Sequence, residues 1–334
     1  MQSPASRAIT DRMGHRATAP GWFALVAGVT VSIALSAGGA LSIARSAPAP
    51  LAIELHARSL APGEPVRILV RSAAPMTQAR GTFLDKEIFF VPVSLAGVET
   101  SGPRGAEVSA SRKATDWSGW SVVPLDQKPG GASLEVAGTV AGGAEIKGRL
   151  SVRIAAKRFP EQRLTVDEGF VTPPPEVRGR IERETRRLAA VYATRTPSAP
   201  PRGPFVRPVE GEPTGVFGTR RIYNGKPRSP HPGLDLRAVT GTEVHASGPG
   251  VIVLAADLYF SGNTVIVDHG GGLFTIYGHL SRTLAREGET VEAGHLLGLS
   301  GATGRVTGPH LHWGAKIGEL PFDPTALLDP SLFG

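Results

Sequence analysis

From residue 207 to its end, the chain is a succession of short β-branched and aromatic runs separated by glycine. The runs 250–254, 263–267 and 273–277 are examples. A strand needs only four to eight such residues, whereas a helix needs an apolar stripe that repeats every 3.6 residues over ten or more. No such stripe follows residue 207. We therefore expect residues 204–334 to form a mostly antiparallel β fold, with a site on one sheet face and glycine loops at the rims of a groove.

An earlier region, residues 51–158, also has a strand pattern. The runs 51–55, 66–70 and 150–154 alternate between apolar and polar residues and lie between Pro and Gly turns. About a hundred residues of this kind predict an immunoglobulin-like β-sandwich. The disulfide common in that fold is excluded because the chain has no cysteine. The region shows no catalytic pattern, so a spacer, a binding module and a restraint on the rest of the chain all stay open.

Residues 159–203 connect the two β regions. Three prolines at 173–175 precede a predicted helix over 176–193, and a proline-rich linker follows it. The apolar stripe of this helix consists of Val177, Ile181, Leu188 and Tyr192. Such a stripe needs a surface to bury against, and docking on one of the β regions is expected. The predicted fold class is thus mainly β: an N-terminal β-sandwich, a helical connector and a C-terminal antiparallel β domain.

The first fifty residues carry the signature of export. The stretch 21–44 is apolar, and Arg7, Arg12 and Arg16 precede it. This pattern fits either a signal peptide or an uncleaved membrane anchor, and the length of the stretch favours the anchor. In both cases the positive flank stays in the cytoplasm. We therefore expect residues 1–50 to place the remainder in the cell envelope, outside the cytoplasmic membrane.

The formal net charge of +7 does not indicate a nucleic-acid partner. The excess of basic residues lies in the N-terminal tail and in the connector, whereas residues 204–334 contain 10 basic and 12 acidic residues. A nucleic-acid groove would concentrate positive charge on a folded face. We exclude nucleic acid as a partner on this ground and expect only an attraction of the connector to anionic lipid or wall polymer.

Two short motifs, far apart in the chain, predict a metal site. His231 and Asp235 offer a nitrogen and a carboxylate oxygen from one turn of chain, and His310 and His312 alternate with a leucine. Alternating residues of a strand point to the same face. Three nitrogen or oxygen ligands with one open position are typical of a catalytic zinc, which would leave one imidazole of the pair for proton transfer. The chain has neither cysteine nor an HExxH motif, so zinc would be held by His and carboxylate.

Between the two motifs lies the segment Tyr277-Gly-His279-Leu280. The second motif is the end of a longer segment, Thr307-Gly-Pro-His310-Leu-His312. With this combination, residues 215–324 resemble the lysostaphin-type (LytM-type) zinc metallopeptidases, which cut peptide cross-links in bacterial cell walls. The resemblance implies that His231, Asp235 and His312 hold Zn²⁺. It also implies that His279 and His310 are the catalytic imidazoles and that peptidoglycan stem peptides are the substrate.

The sequence departs from the family's commonest pattern at places that are not ligands. Trp313 stands where Phe is frequent, and Phe322-Asp-Pro replaces Val-Asp-Pro. Tyr223 is a candidate for an aromatic that supports the transition state in some relatives, although its spacing from His231 is not a clean match.

Three functions stay open. The first is a zinc endopeptidase that hydrolyses peptidoglycan cross-links. The alternative is a catalytically silent relative that binds the wall and activates another hydrolase. A zinc amidase or protease with another substrate is the third. Because all five site positions hold the expected residue, the enzyme is favoured. His269, outside the motifs, is expected in a turn with its imidazole bonded to backbone. The bond that is cut and a regulatory partner protein are not indicated by the sequence.

Overall fold

The computed structural model describes residues 42–45, 51–93, 114–165, 168, 172–198 and 205–333. Within these ranges the chain is mostly antiparallel β-sheet with one long helix, as the sequence predicts. Most of the predicted membrane segment, residues 21–41, lies outside the described residues. Nowhere in the described ranges is a helix long and apolar enough to span a bilayer.

The N-terminal region contains one seven-stranded sheet. Its strands are β1 (Ser42–Arg45), β2 (Leu51–Ala57), β3 (Pro65–Phe83), β4 (Lys86–Pro92), β5 (Ala114–Val122), β6 (Gly130–Val140) and β7 (Glu145–Ile154). The 19-residue β3 pairs with β2 and β5 along its first half and with β4 and β6 along its second half. A Cβ at Gly148 of β7 would lie 2.9 Å from Cδ1 of Ile53 on β2. The sheet therefore folds back over one apolar core.

Two features of this sheet differ from the sequence-based expectation. Strand β1 includes the last residues of the apolar stretch 21–44 and pairs with β2, so residues 42–44 belong to the sheet rather than to a membrane segment. Strand β5 and the full length of β3 were not predicted, because polar and small residues interrupt their apolar pattern. The immunoglobulin-like class of this region stays a prediction.

The connector holds strand β8 (Glu161–Leu164), a 3₁₀ turn (Pro175–Val177) and helix α1 (Arg178–Ala193). The ring of Tyr192 is buried and meets the ring of Phe274 edge-on, with centroids 5.5 Å apart. Leu188 packs on the same cluster. The helix thus docks on the C-terminal sheet, as its apolar stripe predicts. Strand β8 was not predicted, since all four of its residues are exposed and lack an apolar pattern.

The C-terminal region adds twelve strands and two short helical segments in the described residues. The strands are β9 (Pro213–Gly215), β10 (Arg220–Tyr223), β11 (Lys226–Pro227), β12 (Gly233–Leu236), β13 (Glu243–His245), β14 (Gly250–Leu258), β15 (Gly262–Asp268), β16 (Leu273–Thr283), β17 (Thr290–Val291), β18 (Leu296–Ser300), β19 (Leu311–Ile317) and β20 (Leu320–Phe322). A 3₁₀ helix (Pro324–Leu328) and helix α2 (Pro330–Phe333) follow.

Ten of these strands form one antiparallel sheet whose central path is β17-β14-β15-β16-β19-β12-β9. The remaining two, β10 and β11, form a hairpin that β8 joins in parallel. The connector therefore supplies the edge strand of this hairpin, and this pairing is the one parallel exception among the described ladders of the C-terminal region.

The two faces of the ten-stranded sheet have different neighbours. Along β19, Leu311, Trp313 and Ala315 point into the main apolar core and have no exposed surface. His312 and Lys316 alternate with them and point to the opposite face, where the ammonium of Lys316 lies 4.0 Å from the centre of the Tyr192 ring. Helix α1 thus lies on the same sheet face as His312, about four residues further along the strand.

The N-terminal sheet contacts the end of the chain. Trp120 stacks on Phe333 with ring centroids 4.5 Å apart, and the guanidinium of Arg58 lies 3.4 Å from a carboxylate oxygen of Asp323. Asp323 and Phe333 both lie after β19, the last long strand that the structure describes. The N-terminal sheet is therefore held against the end of the chain, while α1 occupies the sheet face that carries His312.

Candidate metal centre and active site

Three side chains converge on one point of the sheet face. Oδ1 of Asp235 lies 2.9 Å from Nε2 of His231 and 2.9 Å from Nδ1 of His312, and the two nitrogens are 3.2 Å apart. His231 is 2 % exposed and Asp235 8 %. Among the described residues, these three form the cluster of His and acidic side chains with spacing suited to a metal ion.

Strand register explains how residues so far apart in the chain meet. Strands β12 and β19 pair antiparallel with Asp235 directly opposite His312. His231 lies two residues before β12 and Asp235 lies within it, so the expectation that one turn of chain supplies both donors was wrong. The two strands approach each other so closely at Gly233 that no side chain fits there. A Cβ at this position would lie 2.5 Å from the Trp313 carbonyl oxygen and 2.8 Å from Nε2 of His312.

The donor set fits a tetrahedral zinc. Bonds of about 2.0–2.2 Å at tetrahedral angles separate neighbouring ligands by about 3.3–3.6 Å. The three observed separations, 2.9, 2.9 and 3.2 Å, need only a small expansion to reach this value. Two neutral imidazoles and one carboxylate are also ligands that zinc accepts readily. The residues present therefore fit the ion that the sequence predicts.

The protonation states of the donors suit metal binding. Burial raises the pKa of Asp235, but the adjacent imidazoles of His231 and His312 outweigh that effect and hold the pKa well below its usual range. Burial lowers the pKa of His312, against the opposing effect of Asp235. Asp235 is thus ionised and His312 neutral at pH 7, which are the forms that bind a cation.

Backbone carbonyls set the tautomers of the neighbouring imidazoles. Nδ1 of His231 lies 3.1 Å from the Val216 carbonyl oxygen, and Nδ1 of His279 lies 2.9 Å from that of Thr303. Because a carbonyl only accepts, each Nδ1 carries the hydrogen and donates it. The Nε2 atom of each ring is left with its lone pair, for a metal in the case of His231 and for a proton in the case of His279.

His310 and His279 lie beside the three donors. Nε2 of His310 is 3.7 Å from Oδ1 of Asp235, and its Nδ1 lies 2.9 Å from the Gly308 carbonyl oxygen. The rings of His279 and His310 have centroids 4.8 Å apart. The structure therefore brings together all five residues named from the sequence. Next to the three donors lie two imidazoles, His279 and His310, whose Nδ1 atoms are bonded to backbone carbonyls and whose Nε2 atoms are not.

His279 has two unusual properties. Its φ of +65° lies in the left-handed region, which residues with a side chain adopt only when the surroundings impose it. Burial, followed by the charge of His312, lowers its pKa to about 4. His279 is thus a neutral base at pH 7 rather than a cation.

Sequence reasoning missed one participant, Arg221. Its Nη2 donates to Oδ2 of Asp235 over 3.0 Å, which leaves Oδ1 to the imidazoles. Nothing in the local pattern of β10 marks this residue. Tyr223 lies two positions further along the same strand, so its side chain shares the face of Arg221, and its role stays a prediction. His269 is a buried turn residue whose Nδ1 lies 2.7 Å from the Pro249 carbonyl oxygen, as expected.

Comparisons with known proteins agree with this geometry. Residues 229–324 match the family model described as Peptidase family M23. A crystal structure from Pseudomonas aeruginosa that is assigned to peptidase M23 aligns with a TM-score of 0.57 and 28% identity over 81% of this chain and 95% of the other. Residues 229–324, which carry the site, thus have the sequence pattern of peptidase family M23.

Curated relatives match a stretch of similar length in this chain. The peptidoglycan DD-endopeptidase ShyA of Vibrio cholerae is 45% identical over 98 residues, which are 29% of this chain and 23% of that protein. The DD-carboxypeptidase/endopeptidase Mpg of Neisseria meningitidis is 42% identical over 101 residues, which are 30% and 23%. The chain spans about a quarter of the length of these relatives.

Proposed function

We propose that this protein is a zinc endopeptidase that hydrolyses peptide cross-links of peptidoglycan. The observation that carries the proposal is the arrangement of three metal donors within 3.2 Å of one another with the free Nε2 of His310 only 3.7 Å from the shared carboxylate oxygen. A binding module would need the donors but not the two imidazoles that accept protons beside them. In this proposal His231, Asp235 and His312 hold the ion, and His279 and His310 are catalytic.

Hydrolysis of an amide needs an activated water, a stabilised oxyanion and a protonated leaving amine. A bound zinc supplies Lewis-acid polarisation and lowers the pKa of a water to about 7. His279, neutral at pH 7, accepts a proton through the Nε2 that its Thr303 contact leaves free. That proton must then reach the leaving nitrogen, and His310, whose ring lies 4.8 Å from that of His279 and whose Nδ1 donates to the Gly308 carbonyl, is placed to take it up on Nε2 and pass it on.

The substrate and the location follow from the relatives and from the N-terminal segment. The relative ShyA is named a peptidoglycan DD-endopeptidase, which supports cross-linked stem peptides as the substrate here. Such a substrate lies in the cell envelope. The apolar residues 21–41, which follow three arginines, support export and inner-membrane attachment of this chain. Residues 51–158 then act as a spacer or a substrate-binding module between the membrane and residues 204–334.

Incubation of the zinc-loaded chain with purified cross-linked muropeptides tests the function. Mass spectrometry should show monomeric products with one water added per cleaved bond. Products must disappear after zinc is removed by chelation and return when zinc is added back. A zinc-loaded, folded protein that binds peptidoglycan and releases no product would instead support the silent relative that activates another hydrolase.

A further inference from the structure

The hairpin beside the metal centre carries two arginines that face each other. The register of β10 and β11 sets Ile222 opposite Pro227, and the amide of Arg228 donates to the Arg221 carbonyl over 2.9 Å. Residues directly opposite in an antiparallel pair have their side chains on one face, with Cβ atoms about 4.5–5.5 Å apart. Arg221 and Arg228 thus present two like charges to the same face, which is unfavourable unless an anion lies near them.

That face is the one turned toward the donor set, because Arg221 reaches Oδ2 of Asp235. Arg228 makes no ion pair with a carboxylate of the residues that the structure describes. The Nε atoms of Arg221 and Arg228 are both buried and lack a hydrogen-bond partner there. A partly buried guanidinium without a counter-ion is costly, so an anionic group that reaches the outer nitrogens of Arg228 would stabilise it.

A third guanidinium comes from the loop that leads into His310. Arg305 lies with its guanidinium carbon 4.5 Å from the centre of the Phe260 ring. Burial lowers the pKa of Arg305, and the charges of Arg228 and Arg221 act in the same direction. Positive charge is concentrated here although residues 204–334 contain more acidic than basic residues.

We propose that Arg228, supported by Arg221 and Arg305, binds a carboxylate of the substrate next to the metal centre. A guanidinium binds a carboxylate through two parallel N–H donors, which fixes its orientation as well as its position. The preferred substrate is therefore a peptide with a free carboxylate close to the scissile bond, rather than a neutral glycyl bridge. The inference rests on the proposed endopeptidase function and names the substrate class of that same site.

The test uses two cross-linked muropeptides that differ only in whether the carboxylates near the cross-link are free or amidated. The wild-type chain should have a KM about 10- to 100-fold lower for the free form, as for a hydrogen-bonded charge pair. Arg228→Gln should remove most of this preference by raising KM for the free form while zinc content stays unchanged. Arg220→Gln is the matched control, since Arg220 is an exposed neighbour on the opposite face of β10 and should behave as wild type.

Direct binding separates this inference from the proposed function. Calorimetry with the same two peptides and zinc-free, full-length protein measures the preference without turnover. A preference for the free carboxylate that Arg228→Gln abolishes supports the subsite even when no cleavage is seen. Equal binding of both peptides, or equal effects of Arg228→Gln and Arg220→Gln, overturns the subsite even when the chain cuts peptidoglycan.

Discussion

Replacement of each histidine of the 310–312 pair separates a metal ligand from a proton-transfer group. Nδ1 of His312 lies within 3.2 Å of both other donors, whereas Nε2 of His310 is 3.7 Å from Oδ1 of Asp235. His312→Ala should therefore empty the zinc site. His310→Ala should keep zinc, the fold and peptide binding but lose turnover.

The expected size of each effect follows from the number of ligands. Small zinc domains bind the ion with about 10–16 kcal/mol through four ligands, or about 3–4 kcal/mol per ligand. Loss of His312 should then weaken zinc binding by about 100- to 1,000-fold, because 1.4 kcal/mol corresponds to a factor of ten. Loss of an acid–base group lowers kcat by about 100- to 10,000-fold. His310→Ala should change zinc affinity by less than about tenfold, which is the lower end of the loss in metal affinity typical for residues that contact the ligands without binding the metal.

Zinc affinity is measured by competition with a chromophoric chelator, and zinc content by elemental analysis after dialysis. Turnover is followed with one defined muropeptide, and the fold by circular dichroism. His295→Ala is the control, since that imidazole is 40% exposed and pairs with Glu289 away from the site. If His310→Ala emptied the site while His312→Ala retained zinc, the roles of the two imidazoles would be the reverse of those proposed here.

Three further predictions concern stability and regulation. Burial lowers the pKa of His269 to about 4, so the unfolded chain binds a proton that the folded chain does not, and the free energy of unfolding should fall by about 3 kcal/mol as pH drops from 6.5 to 4. Urea unfolding of the zinc-free protein should show a smaller pH dependence in His269→Gln; an unchanged dependence contradicts the assignment. Tyr192→Ala should cost about 3–5 kcal/mol, because its buried ring packs on Phe274, and thermal unfolding measures the loss. A cost below about 1 kcal/mol would mean that helix α1 does not dock as described. Truncation to residues 204–334 should raise activity on soluble muropeptides if α1 and the N-terminal region restrict the groove; unchanged activity in a folded, zinc-loaded truncate would leave them as a spacer.

Much of the C-terminal fold could be predicted because its signals are local. Strands β14, β15 and β16 read as β-branched and aromatic runs, and glycine marks the turns between them. Helix α1 was predicted from its stripe to within two residues at its start. Strand β8 was missed, since four exposed polar and apolar residues become a strand only when the edge of β10 offers hydrogen bonds.

By itself, the sequence determined the donor types, their spacing and the secondary structure on which they lie. The alternation of His310 and His312 dictates that both imidazoles share a face, because side chains alternate along a strand. Which of them joins Asp235 was decided by the tertiary structure, since the pairing of β12 with β19 sets Asp235 opposite His312. The meeting of Arg221 with that carboxylate was decided in the same way. Periodicity acts between neighbours in the chain, whereas register depends on hydrogen bonds between strands that are distant in it.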